Sequence, residues 1–188
     1  MNFHDNLGTE FEFRTYNSLE TNYKITDNYF KEAGYTKNEE SIPNNLSYKQ
    51  GSKLKNAFTT NPLKWKSEFI ISISENYIHL SCFIDTTNQL VSQSETECWN
   101  RFIANFEKSI NQQKNLFHLN NEFVKKSKKA TLKYITYGVI VTIVSLTIFG
   151  VIADYFKLSS KFIFLPTFSI TTIVLLLIQR KMNNDKIL

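Results

Sequence analysis

Cysteine, glycine, proline and histidine are all scarce in this 188-residue chain, which holds two, five, three and three of them. Cys82 and Cys98 have no tight spacing, so neither a thiolate metal site nor a secreted disulfide framework is expected. A reduced, cytosolic compartment suits them. The five glycines are unclustered, which excludes a phosphate-cradling P-loop and a dinucleotide-binding GxGxxG turn. The histidines are not spaced to share a metal ion, and no DxDxD-type acidic cluster occurs. No cofactor or metal is therefore expected. The N-terminus, MNFHDNLGTE, has no apolar core for a cleavable signal, and its second residue is Asn2 rather than the glycine that myristoylation requires.

An excess of negative charge is missing too, but the net charge of +5 is unevenly spread. Residues 1–120 hold 12 Lys/Arg against 14 Asp/Glu, a net of −2. The basic residues concentrate further on, at Lys125, Lys126, Lys128, Lys129 and Lys133, and again at Arg180, Lys181 and Lys186. No basic face with interleaved aromatics marks the first 120 residues, so nucleic acid is not an expected partner.

Two apolar runs without a charge lie between those basic clusters, at 134–153 and 162–178. Twenty helical residues span roughly 30 Å, the hydrocarbon thickness of a bilayer. The second run is shorter and carries Pro166 early, in what would be its first turn, where a missing amide costs little. Arg180 and Lys181 would stop it and reach back to the interface. The eight-residue connection 154–161 holds only Lys157 and Lys161 against Asp154, so the positive-inside rule places both termini in the cytoplasm. The expected organisation is a soluble domain over 1–120, a basic juxtamembrane stalk over 121–133, a transmembrane helical hairpin over 134–178 and a cytosolic tail over 179–188. Lys125, Lys126, Lys128, Lys129, Lys133, Arg180 and Lys181 would contact anionic head groups. Abundant Asn, Lys, Ile and Phe suit an AT-rich bacterium, which makes the bacterial inner membrane the expected location. Gly138, Thr142 and Ser145 share one helical face, as do Ser169 and Thr172; small residues of this kind allow close helix–helix packing, within the hairpin or in a homo-oligomer. Neither run contains an ionisable residue of the sort that marks ion or proton traffic.

The first 120 residues read as an α+β domain with a mainly antiparallel sheet covered on one face by two helices. Alternation predicts strands over 10–16, 63–74 and 77–84, with Glu75-Asn76 as the hairpin turn between the last two. Residues 46–58 suit two short strands or one irregular strand, and 36–45 a loop containing Pro43. A helix over 19–33, capped by Asn17 or Ser18 and closed by Gly34, follows the first strand. Ser94 and Glu97 form a capping box ahead of a stripe of Trp99, Phe102, Ile103, Phe106 and Ile110. That helix is expected to run toward the first apolar run, with a break near Asn120-Asn121.

Catalytic constellations are sparse. His79, Ser81 and Asp85 share a strand face, but i, i+2 neighbours lie about 7 Å apart, too far for a direct hydrogen bond. Cys82 falls on the opposite face from His79 and reads as core. Glu39-Glu40 reads as solvated, and Glu95/Glu97 as helix-start charges. No catalytic residue is expected. Lys64, Lys66 and Glu68, with the many aromatics, are the candidate partner surface. The expected function is a membrane-anchored, cytosol-facing protein-binding or scaffold module. The alternative is a membrane effector of toxin or defence type whose hairpin oligomerises and perturbs the bilayer.

Overall fold

The computed structural model describes residues 9–38, 45–56, 58–86, 91, 93–159 and 161–184. The chain divides into two compact units, Met1–Lys128 and Lys129–Leu188. The division falls inside the lysine-rich stretch.

The first unit is α+β. Five antiparallel strands, β1 (Thr9–Arg14), β2 (Thr36–Lys37), β3 (Asn45–Gln50), β4 (Ser67–Ile73) and β5 (Tyr77–Ile84), stand in the order β1-β5-β4-β3-β2. Alternation sets the register. Phe69 faces Tyr48 and Cys82, and Ile71 faces Leu46 and Leu80, so one side of the sheet is continuous apolar surface. Of the described strands, β1 and the two-residue β2 form the edges.

Two helices cover the apolar side. Helix α1 (Leu19–Glu32) starts where the Ser18 hydroxyl accepts the Thr21 amide at 3.2 Å. It ends on Gly34 at φ +90°, with the Tyr35 amide bonded to the Phe30 carbonyl and the Tyr35 ring against the Phe30 ring at 5.4 Å. Helix α3 (Gln93–Asn111) buries Trp99, Phe102, Phe106 and Ile110. Phe30 sits at the centre, stacked on Tyr48 at 4.8 Å and against Phe69 at 5.0 Å and Phe106 at 5.3 Å. Both cysteines lie in this core; burial raises the Cys82 thiol pKa and pushes that of Cys98 up to about 12.

Several local readings change. The loop expected over 36–45 opens with β2, which adds to β3 at Lys49 and Tyr48; Pro43 and Glu39-Glu40 lie outside the described residues. Residues 46–58 contain one regular strand and then a four-residue helix, α2 (Lys53–Asn56). The strand expected from residue 63 begins at Ser67. Asn61 Oδ1 accepts the Leu63 amide and Pro62 presets its backbone angle, so Pro62–Lys64 forms a 3-10 turn. Ser94 falls inside α3, which already includes Gln93. The break before the next helix comes earlier than Asn120: Gln113 takes φ +52°, and the Lys114 amide closes on the Ser109 carbonyl. A 3-10 turn, Phe117–Leu119, then leads to α4 (Asn120–Tyr155). The Asn120 amide group bonds Tyr29 Oη at 3.0 Å and its Oδ1 accepts from Asn105 at 2.9 Å, which holds the start of α4 against α1 and α3.

The second unit contains the remainder of α4 and the 24-residue α5 (Lys161–Asn184). Among the described residues one helix, α4 with its leading 3-10 turn, is long and apolar enough to cross a membrane. Helix α4 ends with Lys157 at φ +54° and the Leu158 amide on the Ala153 carbonyl. Pro166 is the sixth residue of α5 rather than part of its first turn, so the Phe162 carbonyl receives no i+4 amide.

Candidate functional site

Two surfaces stand out from the residues upward: the side of the sheet away from the helices, and the circumference of α4 beyond Lys129.

On the sheet, the side chains that alternate away from the core are Glu10 and Glu12 on β1, His79, Ser81 and Phe83 on β5, Glu68, Ile70 and Ser72 on β4, and Ser47 and Lys49 on β3. Cross-strand register groups them. Glu12 faces His79, which faces Ser72; Glu10 faces Ser81, which faces Ile70 and then Ser47. His79 Nε2 lies 3.9 Å from Glu10 Oε2, and Lys49 Nζ lies 3.2 Å from Glu68 Oε1. Ile70, 48 % exposed, is central, with half-buried Phe83 diagonal to it. The result is a shallow, mixed-charge face with an apolar centre, which suits contact with another protein surface.

The sequence places some of these groups differently. Asp85 is not on a face with His79 and Ser81: it lies beyond β5, 3 % exposed, with Lys66 Nζ 3.5 Å from its carboxylate. Lys64, Lys66 and Glu68 do not form one surface. Lys64 belongs to the 3-10 turn, Lys66 turns to Asp85, and only Glu68 stands on the open sheet face. Glu95 stands in the first turn of α3, as expected, but is buried and accepts the Ser127 hydroxyl at 2.9 Å; Glu97 pairs with Lys126 at 3.5 Å. Nothing in the sequence signals the Glu95–Ser127 bond, which spans 32 residues. Among the described residues no three of His, Cys, Asp and Glu gather to hold a metal ion.

Helix α4 has one covered face and a wide exposed one. Beyond Lys129, the covered positions on α4 are Ala130, Thr131, Tyr134, Gly138, Val141, Thr142, Ser145, Phe149, Gly150 and Ala153, at helical spacing. Val139, Ile140, Ile143, Val144, Ile148 and Val151 are each half exposed or more. Only 11 % of the most apolar 18-residue stretch is buried. Hydroxyls on both helices turn inward to their own backbone: Thr136, Thr142 and Thr147 on α4, and Thr167 and Thr172 on α5, each donate to the carbonyl four residues earlier at 2.6–3.0 Å.

The expected packing residues divide. Gly138 and Thr142 are half-covered and Ser145 is buried. Ser169 and Thr172 are exposed; on α5 the covered stripe runs instead through Ile163, Pro166, Thr167, Thr171 and Val174. Of the expected lipid-surface lysines, Lys125, Lys126, Lys128, Lys129 and Lys133 are exposed on α4, and Lys133 Nζ lies 5.7 Å from the Tyr137 ring centre. Arg180 and Lys181 fall in the last turns of α5, and their side chains lie outside the described residues.

Comparison with known proteins returns no matching family model, no matching curated protein and no matching solved structure.

Proposed function

We propose that the chain is a membrane-anchored binding module, its first unit in the cytosol and its second unit a helical hairpin across the bilayer. The observation that carries the reading is the wide exposed apolar face of α4. Isoleucines and valines half exposed along several turns would be strongly unfavourable in water, at about 25 cal/mol per Å² of apolar surface, and are at home in hydrocarbon. The back-bonded threonines fit the same solvent, which offers hydroxyls no partner. α5 supplies the return crossing, and the lysines of α4 and the end of α5 keep both flanks on the cytosolic side of a bacterial inner membrane. The open sheet face, with Ile70 at its centre, binds a protein partner. The effector reading draws on the small-residue stripe of α4, but Ser145 is already buried in the structure, which favours an anchor.

The test places a photo-crosslinking residue at Ile70, with Tyr16 as control, in the full chain, which is then purified from its native membrane in mild detergent. A stoichiometric foreign protein captured at Ile70 and not at Tyr16 supports the module. A crosslinked homo-oligomer with nothing else bound transfers the weight to the effector reading, and liposome leakage decides it.

A further inference from the structure

The loop after β3 places an unusual group on the surface. Phe58 is 84 % exposed and Leu54 74 % exposed. Lys53, Lys55 and Lys64 are exposed around them, and none of the three forms an ion pair among the described residues. Residues 51–66 hold four lysines and no acidic residue. Leu54, Lys55, Phe58, Thr59 and Lys64 line a surface recess of ≈ 400 Å³. Two large apolar side chains in water beside unpaired cations are the composition of an interfacial anchor, which lowers its apolar groups below the head groups and leaves its lysines among the phosphates.

Hydrogen bonds fix where this group sits in the first unit. Asn56 donates to the Asp85 carbonyl at 2.9 Å and accepts the Lys66 amide at 2.6 Å. That ties α2 to the sheet end where β4 begins and β5 finishes. The chain leaves β5 there and enters α3, whose first turns hold Ser127 through Glu95 and Lys126 through Glu97. Ser127 and Lys128 are where the backbone leaves the unit for the apolar part of α4. Phe58, Leu54 and their lysines thus share one end of the domain with the exit toward the lipid. The opposite end holds Tyr16, beside Asn17, which donates to the Ile110 carbonyl at 2.7 Å, and beside Thr15, bonded to Asn76. Tyr16 is 90 % exposed but has only one cation nearby in sequence, Arg14, stacked on Tyr77.

We infer that Leu54 and Phe58, with Lys53, Lys55 and Lys64, dock the first unit onto the anionic surface of the membrane that its own helix crosses. The inference rests on the membrane reading of α4. Each lysine near an anionic surface favours the docked state by about fivefold.

The test uses the full chain in nanodiscs with a nitroxide at one of three positions: Thr60→Cys beside the loop, Tyr16→Cys at the far end, or Ile143→Cys in α4. With phosphatidylglycerol present, the label at position 60 is expected to lose several-fold of its collision rate with an aqueous nickel chelate and to gain collisions with oxygen, while the label at 16 stays water-exposed. Adding Leu54→Ser with Phe58→Ser, or Lys53→Glu with Lys55→Glu and Lys64→Glu, is expected to restore nickel access at 60. All five sites are exposed, so near-UV circular dichroism from the buried tryptophans checks that the fold survives. The inference is overturned if position 60 stays as nickel-accessible as position 16 while position 143 reports hydrocarbon. It is also overturned if position 60 is shielded only when cytosolic protein is added, since the loop then docks a protein. A water-exposed label at 143 overturns the membrane reading itself, and this inference with it.

Discussion

The two units use large apolar side chains in opposite ways. In the first, Tyr29, Phe30, Phe69, Phe102 and Phe106 are essentially inaccessible and pack ring against ring. In the second, Ile140, Ile143, Ile148 and Val151 point outward from α4. Polar groups invert in the same sense. The sheet's outer face carries glutamates, lysine and histidine for water, whereas the threonines of α4 and α5 satisfy themselves on their own helices. Each unit treats its apolar side chains consistently along its length, and the contrast is the one that the proposed pairing of a water-facing domain with a lipid-facing anchor requires.

The largest expected effect tests the first side of that contrast. Phe30→Ala removes the ring at the centre of the aromatic cluster and is expected to cost about 3–5 kcal/mol, read as a lowered denaturant midpoint of the tryptophan signal. Retention of the chain in carbonate-washed membranes should not change. Ile143→Lys tests the other side. If α4 lies in hydrocarbon, the charge costs about 3 kcal/mol of insertion, and the chain should shift out of the washed membrane fraction while the tryptophan signal is unaltered. In water the same exposed substitution stays within about 0.5 kcal/mol, so unchanged membrane retention would break the comparison.

A third test uses alkali, since the first unit has a buried core of protonated tyrosine and thiol groups. Burial raises the pKa of Tyr29, Tyr35, Tyr48, Cys82 and Cys98 above their ordinary values of 10.0 and 9.0. Above about pH 9 the unfolded chain therefore binds fewer protons than the folded one. Their contribution is fully present below about pH 9 and is lost as the pH climbs. The midpoint of the tryptophan transition is expected to fall steadily from about pH 9 upward; a flat profile would contradict the burial of these groups. The smallest effect is a gain. Gln113 holds a left-handed conformation that glycine adopts without steric cost, so Gln113→Gly is expected to add about 0.5–1 kcal/mol to the first unit, less the exposed bond to Asn17. Loss of stability there would mean that the side-chain bond outweighs the backbone strain.

Much of the fold was legible because one physical signal dominated each element. Strict alternation marks β5 from Ile78 to Ile84, helical spacing marks α1 and α3, and Gly34 closes α1 as a left-handed cap. What escaped lacks a local period. β2 has two residues, too few to alternate. Leu63 and Trp65 are both buried, as in a strand, although Asn61 and Pro62 wind the backbone between them into a 3-10 turn. The spacing of Ser94 and Glu97 matches a capping box, while the helix already includes Gln93 and Glu95 turns inward to Ser127. The open sheet face was only half visible: the alternation that hides Leu80 exposes His79 and Ser81, but which strands bring Glu12 and Ser72 beside them depends on topology. The Phe58 loop gave no sequence signal, because an exposed phenylalanine and a buried one are spelled alike.

The brevity of the sheet's described edges would have a consequence under the proposed anchoring in a membrane. Confinement to two dimensions multiplies encounters between copies, and an unpaired strand edge is a template on which sheets join edge to edge. β1 offers six residues, three of them charged and pointing away from the core as Glu10, Glu12 and Arg14, and β2 offers two. Lateral collisions would then meet charged, curtailed borders, which disfavour growth of the sheet from copy to copy.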